Sequence, residues 1–247
     1  GVIWSILGAD RKLFIHHEFS LFLAEIKDSI GSGDSEVFLK SSNVFDRPPE
    51  EILPINEGYA GNQSHFATIY CKLGYCFIDR NAKKVFIYRE TLKEISKDGL
   101  YNFFKDYGET IMSNVDNPYI GNGYTMAFDE EFNRLIITKK DAEYDFTLSF
   151  CQDNWICYHS YKPNVLIYNR SGLFAIDNNV NKLFKHNDKN KIAIYYDNQI
   201  KESYIDVVFN PAPDETKVLK SINWLSDTIK LSGGMLKDNT ITHLIVY

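Results

Sequence analysis

The sequence predicts an all-β protein made of β-propeller-like repeated antiparallel sheets, with one short helix. Three observations support this prediction. A pattern of Asp, turn and basic residue recurs at intervals of 50 and 48 residues, and the strand-like segments are rich in β-branched and aromatic residues. About 15 to 18 such segments fit into the chain. A period of this length that contains a β-hairpin indicates repeated sheets rather than a helical solenoid.

The repeated segment is a hairpin whose first strand ends in Asp and whose second strand begins with Lys or Arg. Its loops contain Asn, which favours tight turns because it tolerates left-handed backbone. We expect each Asp carboxylate to fold over its turn and the basic residue to neutralise it. The alternative interpretation is three metal or ligand sites. The three pairs are Asp79 with Lys84, Asp129 with Arg134, and Asp177 with Lys182.

The N-terminal quarter of the chain predicts short strands over residues 2–7, 13–16 and 19–26. Pro48-Pro49 removes two backbone donors and fixes φ, which predicts an extended connection rather than a central strand. Gly58 and Gly61 predict a sharp turn or a close backbone contact shortly before the strands resume at residue 66.

One short helix is predicted between the first and second repeated hairpins. Leu100, Phe103, Phe104 and Tyr107 share one face at helical spacing. Asp98 is expected to cap its start, and Gly108 is expected to end it.

The second half of the chain predicts strands over residues 146–150 and 155–161, joined by a turn at residues 151–154, and another strand over 165–169. Residues 204–210, 216–222 and 228–231 predict a further sheet, with a turn at 211–214. We expect one propeller-like domain over residues 1–247 that belongs to a longer chain. At this period it contains about five blades, so the ring is closed, partial, interrupted or completed elsewhere.

Charge and hydropathy disfavour two classes of partner. The net charge is −6, and no run of basic residues offers a phosphate backbone a binding patch. No apolar stretch approaches the roughly 20 residues that span a bilayer, and no secretory leader is predicted. We therefore expect neither specific nucleic-acid recognition nor a membrane segment.

The four cysteines have spacings that do not match a common zinc motif. We expect buried free thiols, with disulfides or a zinc site as the alternatives. The four are Cys71, Cys76, Cys151 and Cys157.

No catalytic, cofactor-binding or metal-ligating residue is predicted. Glu50 and Glu51 are adjacent on an extended chain and therefore point to opposite sides. His16-His17-Glu18 lacks the spacing of a helical zinc pair, and we expect it on a hairpin surface. The remaining histidines are expected to be structural or on the surface, and the tryptophans to lie in the core: His65, His159, His186 and His243, and Trp4, Trp155 and Trp224.

Several stretches, taken in order along the chain, resemble the tail stabilisation proteins of crAss-like bacteriophages of the gut, a family similar to the tail accessory factors of short-tailed phages. They extend from residue 45 to about residue 224. They are FDRPPEEI from Phe45, GYAGNQS from Gly58, GYCFIDR from Gly74, GLYNFFK from Gly99, TLSF from Thr147 leading to Trp155, and YHSYKP from Tyr158.

The resemblance implies a structural virion protein without enzymatic activity or cofactors, made in the bacterial host cytoplasm. Such proteins assemble in several copies, expected as a ring, with portal and tail subunits around the DNA exit channel. We expect residues 47–64 and the helix at 100–107 to contact neighbouring subunits. The alternative is a carbohydrate-binding or glycoside-cleaving β-propeller of a gut bacterium. That alternative predicts two facing carboxylates in a cleft or an exposed aromatic platform.

Overall fold

The computed structural model describes residues 2–25, 45, 48–53, 59–109, 116–179, 181–188, 195–196, 204, 214–216, 218, 220–221, 228–229 and 235–236. These residues contain 17 strands and one α-helix, so the predicted all-β class is confirmed. The chain divides into two compact units, Gly1–His186 and Asn187–Tyr247. The expectation of a single domain stays a prediction.

The first unit consists of four consecutive antiparallel sheets, in which strands that follow each other in the chain are also neighbours in the sheet. Sheet 1 contains β1 (Ile3–Ala9), β2 (Lys12–His17), β3 (Leu21–Glu25) and β4 (Glu50–Glu51). Sheet 2 contains β5 (Thr68–Cys71), β6 (Gly74–Asp79), β7 (Lys84–Tyr88) and β8 (Leu92–Glu94). Sheet 3 contains β9 (Gly123–Asp129), β10 (Arg134–Lys140), β11 (Phe146–Cys151) and β12 (Asn154–Tyr158). Sheet 4 contains β13 (Val165–Asn169), β14 (Gly172–Asp177) and β15 (Lys182–Lys185).

The described part of the second unit contains one antiparallel pair, β16 (Thr228–Ile229) with β17 (Met235–Leu236). The first of these strands falls within the predicted strand 228–231. The predicted strands 204–210 and 216–222 and the turn 211–214 lie largely outside the described residues.

The three repeated hairpins form as predicted, and each Asp stands opposite its basic residue in the strand register. Their places in the sheets differ, however. In sheets 2 and 4 the hairpin joins the second and third strands, whereas in sheet 3 it joins the first and second. The equal spacing therefore does not mark one identical unit, because the helix and its flanks occupy the sequence between sheets 2 and 3.

Two apolar cores join the first three sheets face to face. Phe14 and Leu21 of sheet 1 pack with Tyr75, Phe77 and Phe86 of sheet 2. On the other face of sheet 2, a larger cluster unites β6 and β7 with β9, β10 and β11. The first strands of successive sheets also approach each other, since β9 lies beside both β5 and β13.

The helix α1 (Tyr101–Tyr107) follows sheet 2 and adds to the larger core. Its buried residue Phe104 packs against Phe146 and Trp155. The predicted end is confirmed, since the Gly108 N–H donates to the Phe104 carbonyl at 2.8 Å. The predicted cap is wrong. No side chain caps the start at Leu100, because the Asp98 carboxylate lies 3.1 Å from the Lys93 Nζ instead.

The connection from sheet 1 to sheet 2 agrees with its proline and glycine pattern. Pro48-Pro49 leads into β4, a two-residue strand at the edge of sheet 1. Gly61 lies against the Glu18 carbonyl, with which a Cβ on Gly61 would collide. The predicted close backbone contact is therefore confirmed at Gly61, while Gly58 lies outside the described residues.

Candidate functional site

The three repeated Asp side chains are buried and organise their own turns. In each case the Oδ1 atom accepts a backbone N–H from the loop that follows, as the sequence predicts. This geometry is that of a structural turn and satisfies donors that the loop would otherwise leave unpaired. The donors are Ala82 at 3.0 Å from Asp79, Glu131 at 3.2 Å from Asp129, and Asn179 at 2.8 Å from Asp177.

The expected neutralisation by the basic partner holds at one turn. Arg134 Nε lies 3.0 Å from Asp129 Oδ2. Lys84 instead places its Nζ 3.2 Å from Glu94 Oε2 on the adjacent strand β8. The Asp79 carboxylate instead accepts three hydrogen bonds, from the N–H groups of Gly61 and Ala82 and from the Gln63 side chain. These bonds stabilise it without a cation. Among the described ion pairs, none joins Asp177 to the exposed Lys182.

A buried amide, Gln63, connects the first of these turns to sheet 1. Its Nε2 donates to Asp79 Oδ1 at 3.1 Å and to the Glu18 carbonyl, in the turn between β2 and β3. Its Oε1 accepts the backbone N–H groups of Arg80 and Asn81 at 2.8 and 3.1 Å. Gln63 therefore fixes the position of one sheet against the next.

Asn164 makes the equivalent connection before sheet 4. Its Oδ1 accepts the Asn178 N–H at 3.1 Å, directly after the Asp177 turn. Its Nδ2 donates to the carbonyls of Pro118 and Tyr119 at 3.1 and 3.3 Å. These contacts support the structural interpretation of the repeated turns. Among the described residues, no group of three or more His, Cys, Asp or Glu could hold a metal ion.

Three histidines of the described residues, His16, His159 and His186, are buried. His16 is fully buried, its Nδ1 lies 2.8 Å from Tyr75 Oη, and burial lowers its pKa to about 3. The expectation of a surface position is therefore wrong for His16, because that face of β2 packs on sheet 2. Burial also lowers the pKa of His159 to about 3 and that of His186 to about 4. Tyr161 lies between their rings, at centroid distances of 4.7 and 4.9 Å.

Of the tryptophans expected in the core, Trp155 packs against it, whereas Trp4 is only half-buried and contacts the exposed His65. Trp155 donates its Nε1–H to the Ile95 carbonyl at 2.9 Å and packs against the larger core. Trp4 lies beside His65, with ring centroids 5.5 Å apart. His243 and Trp224 lie outside the described residues.

All four cysteines are free thiols, but their burial differs. Cys76 is buried, Cys71 and Cys151 are partly exposed, and Cys157 is exposed. The expectation of burial is wrong for Cys157, because β12 is the edge strand of sheet 3. The sulfur atoms of Cys71 and Cys76 lie 3.8 Å apart.

An aromatic surface that the sequence did not predict is formed by Phe103, Tyr107, Tyr144 and Tyr158. The Tyr107 and Tyr144 rings stack with centroids 4.3 Å apart, and the Tyr144 and Tyr158 hydroxyls are 3.1 Å apart. The Phe103 ring lies close to all three tyrosine rings, with centroid distances of 5.3 to 6.5 Å. The three tyrosines are exposed. Such a surface can stack on a sugar ring or contact another protein.

A cavity of about 500 Å³ lies where the β1–β2 and β5–β6 turns meet. Three cations and one carboxylate line it, together with aromatic rings and one thiol. Tyr70 donates its hydroxyl to Asp10 at the rim. The lining residues are Asp10, Lys12, Lys72, Arg89, Phe14, Tyr70, Tyr88, Cys71 and Gly74. With one carboxylate among them, this cavity lacks the facing pair of a glycosidase.

No protein-family model matches the chain, and no curated protein matches it at a significant level. In the part of the chain that the structure describes, no helix is both long and apolar enough to cross a bilayer.

Proposed function

We propose that this chain is a structural protein of a tailed gut phage that stabilises the tail and portal assembly around the DNA exit channel. It acts through protein–protein contacts, without enzymatic activity, as one of several copies in the virion. The resemblance to tail stabilisation proteins motivates this proposal. The observation that carries it is an apolar sheet face that remains exposed at the end of the first unit.

This face belongs to sheet 4. Val165 stands opposite Ile176, and Ile167 opposite Phe174, so these side chains share one face, which Leu183 extends. Leu183 is 61% exposed and Ile167 40% exposed. The opposite face of the sheet carries buried residues, including Leu166 and Ala175. A sheet with apolar residues on both faces is typical of a layer between two others.

Sheet 1 also carries apolar residues on the side opposite Phe14. Ile6, Ile15 and Phe22 are aligned there by the register of β1, β2 and β3, with Ile15 buried and Phe22 half-buried. Ile6 is 60% exposed. The exposed apolar residues of sheets 1 and 4 support an assembly in which neighbouring subunits contact these two sheets.

A propeller-like arrangement is part of this proposal. Consecutive antiparallel sheets pack face to face, and their first strands β5, β9 and β13 lie side by side. Blades of a propeller have this relation around a central axis. The chain's net charge of −6 would let DNA pass without binding the protein's surface.

The predicted interface loops need one correction. Within residues 47–64, the segment from Ala60 to Ser64 is buried and binds the Asp79 turn, so it cannot contact a neighbour. The helix remains suitable, because Tyr101 and Tyr107 are exposed.

Proteomics of purified gut phage particles tests the proposal. Trypsin releases the peptides 98–105 and 41–72, because it does not cut the Arg47-Pro48 bond. We expect both peptides in gradient-purified particles, at a copy number comparable with that of the portal. A non-structural phage protein serves as the control for contamination. Absence of both peptides from particles that contain the other tail proteins would contradict the proposal.

The aromatic surface supports a second candidate function, carbohydrate binding. Stacked, exposed Tyr107 and Tyr144 offer a platform of the kind that sugar rings contact. Affinity electrophoresis in gels that contain gut polysaccharides tests this candidate. Migration that is retarded by polysaccharide in the wild type and in Tyr119→Ala, but not in Tyr144→Ala, would favour it. Tyr119 is more exposed than Tyr144 and lies outside the aromatic surface.

A further inference from the structure

We propose that Cys71 and Cys76 form a reversible disulfide across the β5–β6 hairpin, and that the reaction starts at Cys71 from the adjoining cavity. Both residues lie on the same face of sheet 2, one at the end of β5 and the other within β6. Their sulfur atoms are 3.8 Å apart, which is van der Waals contact.

The hairpin register explains why the two thiols meet. Cys71 stands opposite Gly74, and Cys76 stands opposite Ile69, so the cysteines are diagonal neighbours. Gly74 has no side chain, and Cys71 can therefore lean along the strand towards Cys76. A disulfide requires the sulfurs to approach to about 2.05 Å. Diagonal neighbours in a sheet lie about 7–8 Å apart, so closing this gap requires the end of β5 to shift towards β6 in addition to rotation of the two side chains.

The two thiols have different access to reagents. Cys71 is partly exposed and lines the open cavity beside Arg89, whereas Cys76 is fully buried in the larger core. The hydrogen bond between the thiols lowers the pKa of Cys71 and raises that of Cys76, although burial opposes the shift at Cys71. An accessible thiol with thiolate character is the one that attacks first.

The reaction is a thiol–disulfide exchange with a small disulfide such as oxidised glutathione. The Cys71 thiolate attacks one glutathione sulfur, forms a mixed disulfide and releases one glutathione thiolate. Cys76 then loses its proton to water and attacks the Cys71 sulfur, releasing the second glutathione thiolate. The two protein thiols are oxidised, the small disulfide is reduced to two thiols, and the released thiolates take up protons.

Peptide mapping of the native chain tests the proposal without any substitution. Trypsin cuts after Lys72, so Cys71 lies in peptide 41–72 and Cys76 in peptide 73–80. After incubation of the folded chain with oxidised glutathione and alkylation of the remaining thiols, we expect these two peptides to be linked. Reduced glutathione should separate them. Cys151 and Cys157 lie together in the separate peptide 141–170 and serve as internal controls.

Two variants identify the order of the steps. In Cys76→Ser, Cys71 should retain glutathione as a stable mixed disulfide, because the second thiol is missing. In Cys71→Ser, the buried Cys76 should take up no glutathione while the chain remains folded by circular dichroism. Two alkylated thiols at positions 71 and 76 in the oxidised wild type would overturn the proposal. Linkage of either cysteine to Cys151 or Cys157 instead would also overturn it.

Discussion

At the scale of single residues, buried carboxylates and amides hold the turns of this protein. Asp79 accepts N–H donors on both oxygens, since Gly61 donates to Oδ2 at 3.0 Å while Ala82 and Gln63 donate to Oδ1. Within the part of the Asp177 turn that the structure describes, Asp177 accepts the Asn179 N–H on Oδ1. The same sequence pattern should therefore contribute differently to the free energy of unfolding at the two turns.

Replacing Asp79 by Asn should be more costly than the same change at Asp177. An amide nitrogen at position 79 faces an N–H donor whichever way it is turned, and leaves a buried group unpaired. We expect Asp79→Asn to lower the free energy of unfolding by about 1–3 kcal/mol. Asp177→Asn can keep the bond from Asn179 with its amide oxygen and should cost less than about 1 kcal/mol. Urea unfolding monitored by tryptophan fluorescence measures both, and equal losses would contradict this account.

Another buried carboxylate, that of Asp116, should make stability depend on pH. Burial raises its pKa to about 7, although the positive charge of Arg80 and the N–H of Tyr124 oppose the shift. In the unfolded chain a carboxyl group titrates near roughly 3.9. The folded state therefore keeps a proton that the unfolded state has lost, and stability falls as the pH rises through this window.

Asp116→Asn mimics the protonated acid and should remove that fall. We expect the variant to gain stability relative to the wild type between about pH 4 and pH 7. Urea titrations at several pH values measure the difference in unfolding free energy between variant and wild type. Both proteins contain the same buried histidines, so this difference reports on Asp116. A difference that does not change with pH would show that Asp116 ionises normally.

At the scale of elements, the sequence predicts well where local patterns decide. Alternating β-branched and aromatic residues placed the strands of the three hairpins, and the apolar spacing placed α1. The cap of α1 is wrong because Asp98 can either cap the helix or pair with Lys93, and only the packed sheet decides between the two. The aromatic surface could not be predicted, since it joins α1 to the distant Tyr144 and Tyr158. An amide shortly before a first strand, as at Gln63 and Asn164, was the signal that could have indicated the contacts between sheets.

The contact between Gly61 and the β2–β3 turn leads to a prediction about the junction of sheets 1 and 2. A Cβ at position 61 would collide with the Glu18 carbonyl and the Phe19 backbone, neither of which can rotate away. We expect Gly61→Ala to lower stability by about 1–3 kcal/mol. The matched control is Gly8→Ala, where the nearest atom to the new methyl group, of Leu13, is 3.9 Å away. Thermal unfolding measures both, and a Gly61→Ala variant as stable as Gly8→Ala would refute the close contact.

At the scale of the whole molecule, the apolar faces of the end sheets lead to a prediction about assembly. Ile167 and Leu183 are exposed, so replacing both by Ser should lower the free energy of unfolding by no more than about 1–2 kcal/mol. The same change should abolish self-association if this face joins subunits. Sedimentation over a range of concentrations measures it, with Phe132→Ser as the control for loss of an exposed apolar residue in a turn. Identical sedimentation of an oligomeric wild type and the double variant would exclude this face as an interface.

Cross-linking of intact phage particles tests the central claim most directly. Lys182 and Lys185 flank the exposed Leu183 on β15, and their amines can react with a short lysine-specific reagent. The account predicts cross-linked peptides that join Lys182 or Lys185 to a different virion protein or to a second copy of this chain. Cross-links from these lysines that stay within one chain, in particles whose other tail proteins are cross-linked to each other, would contradict a structural role in the virion.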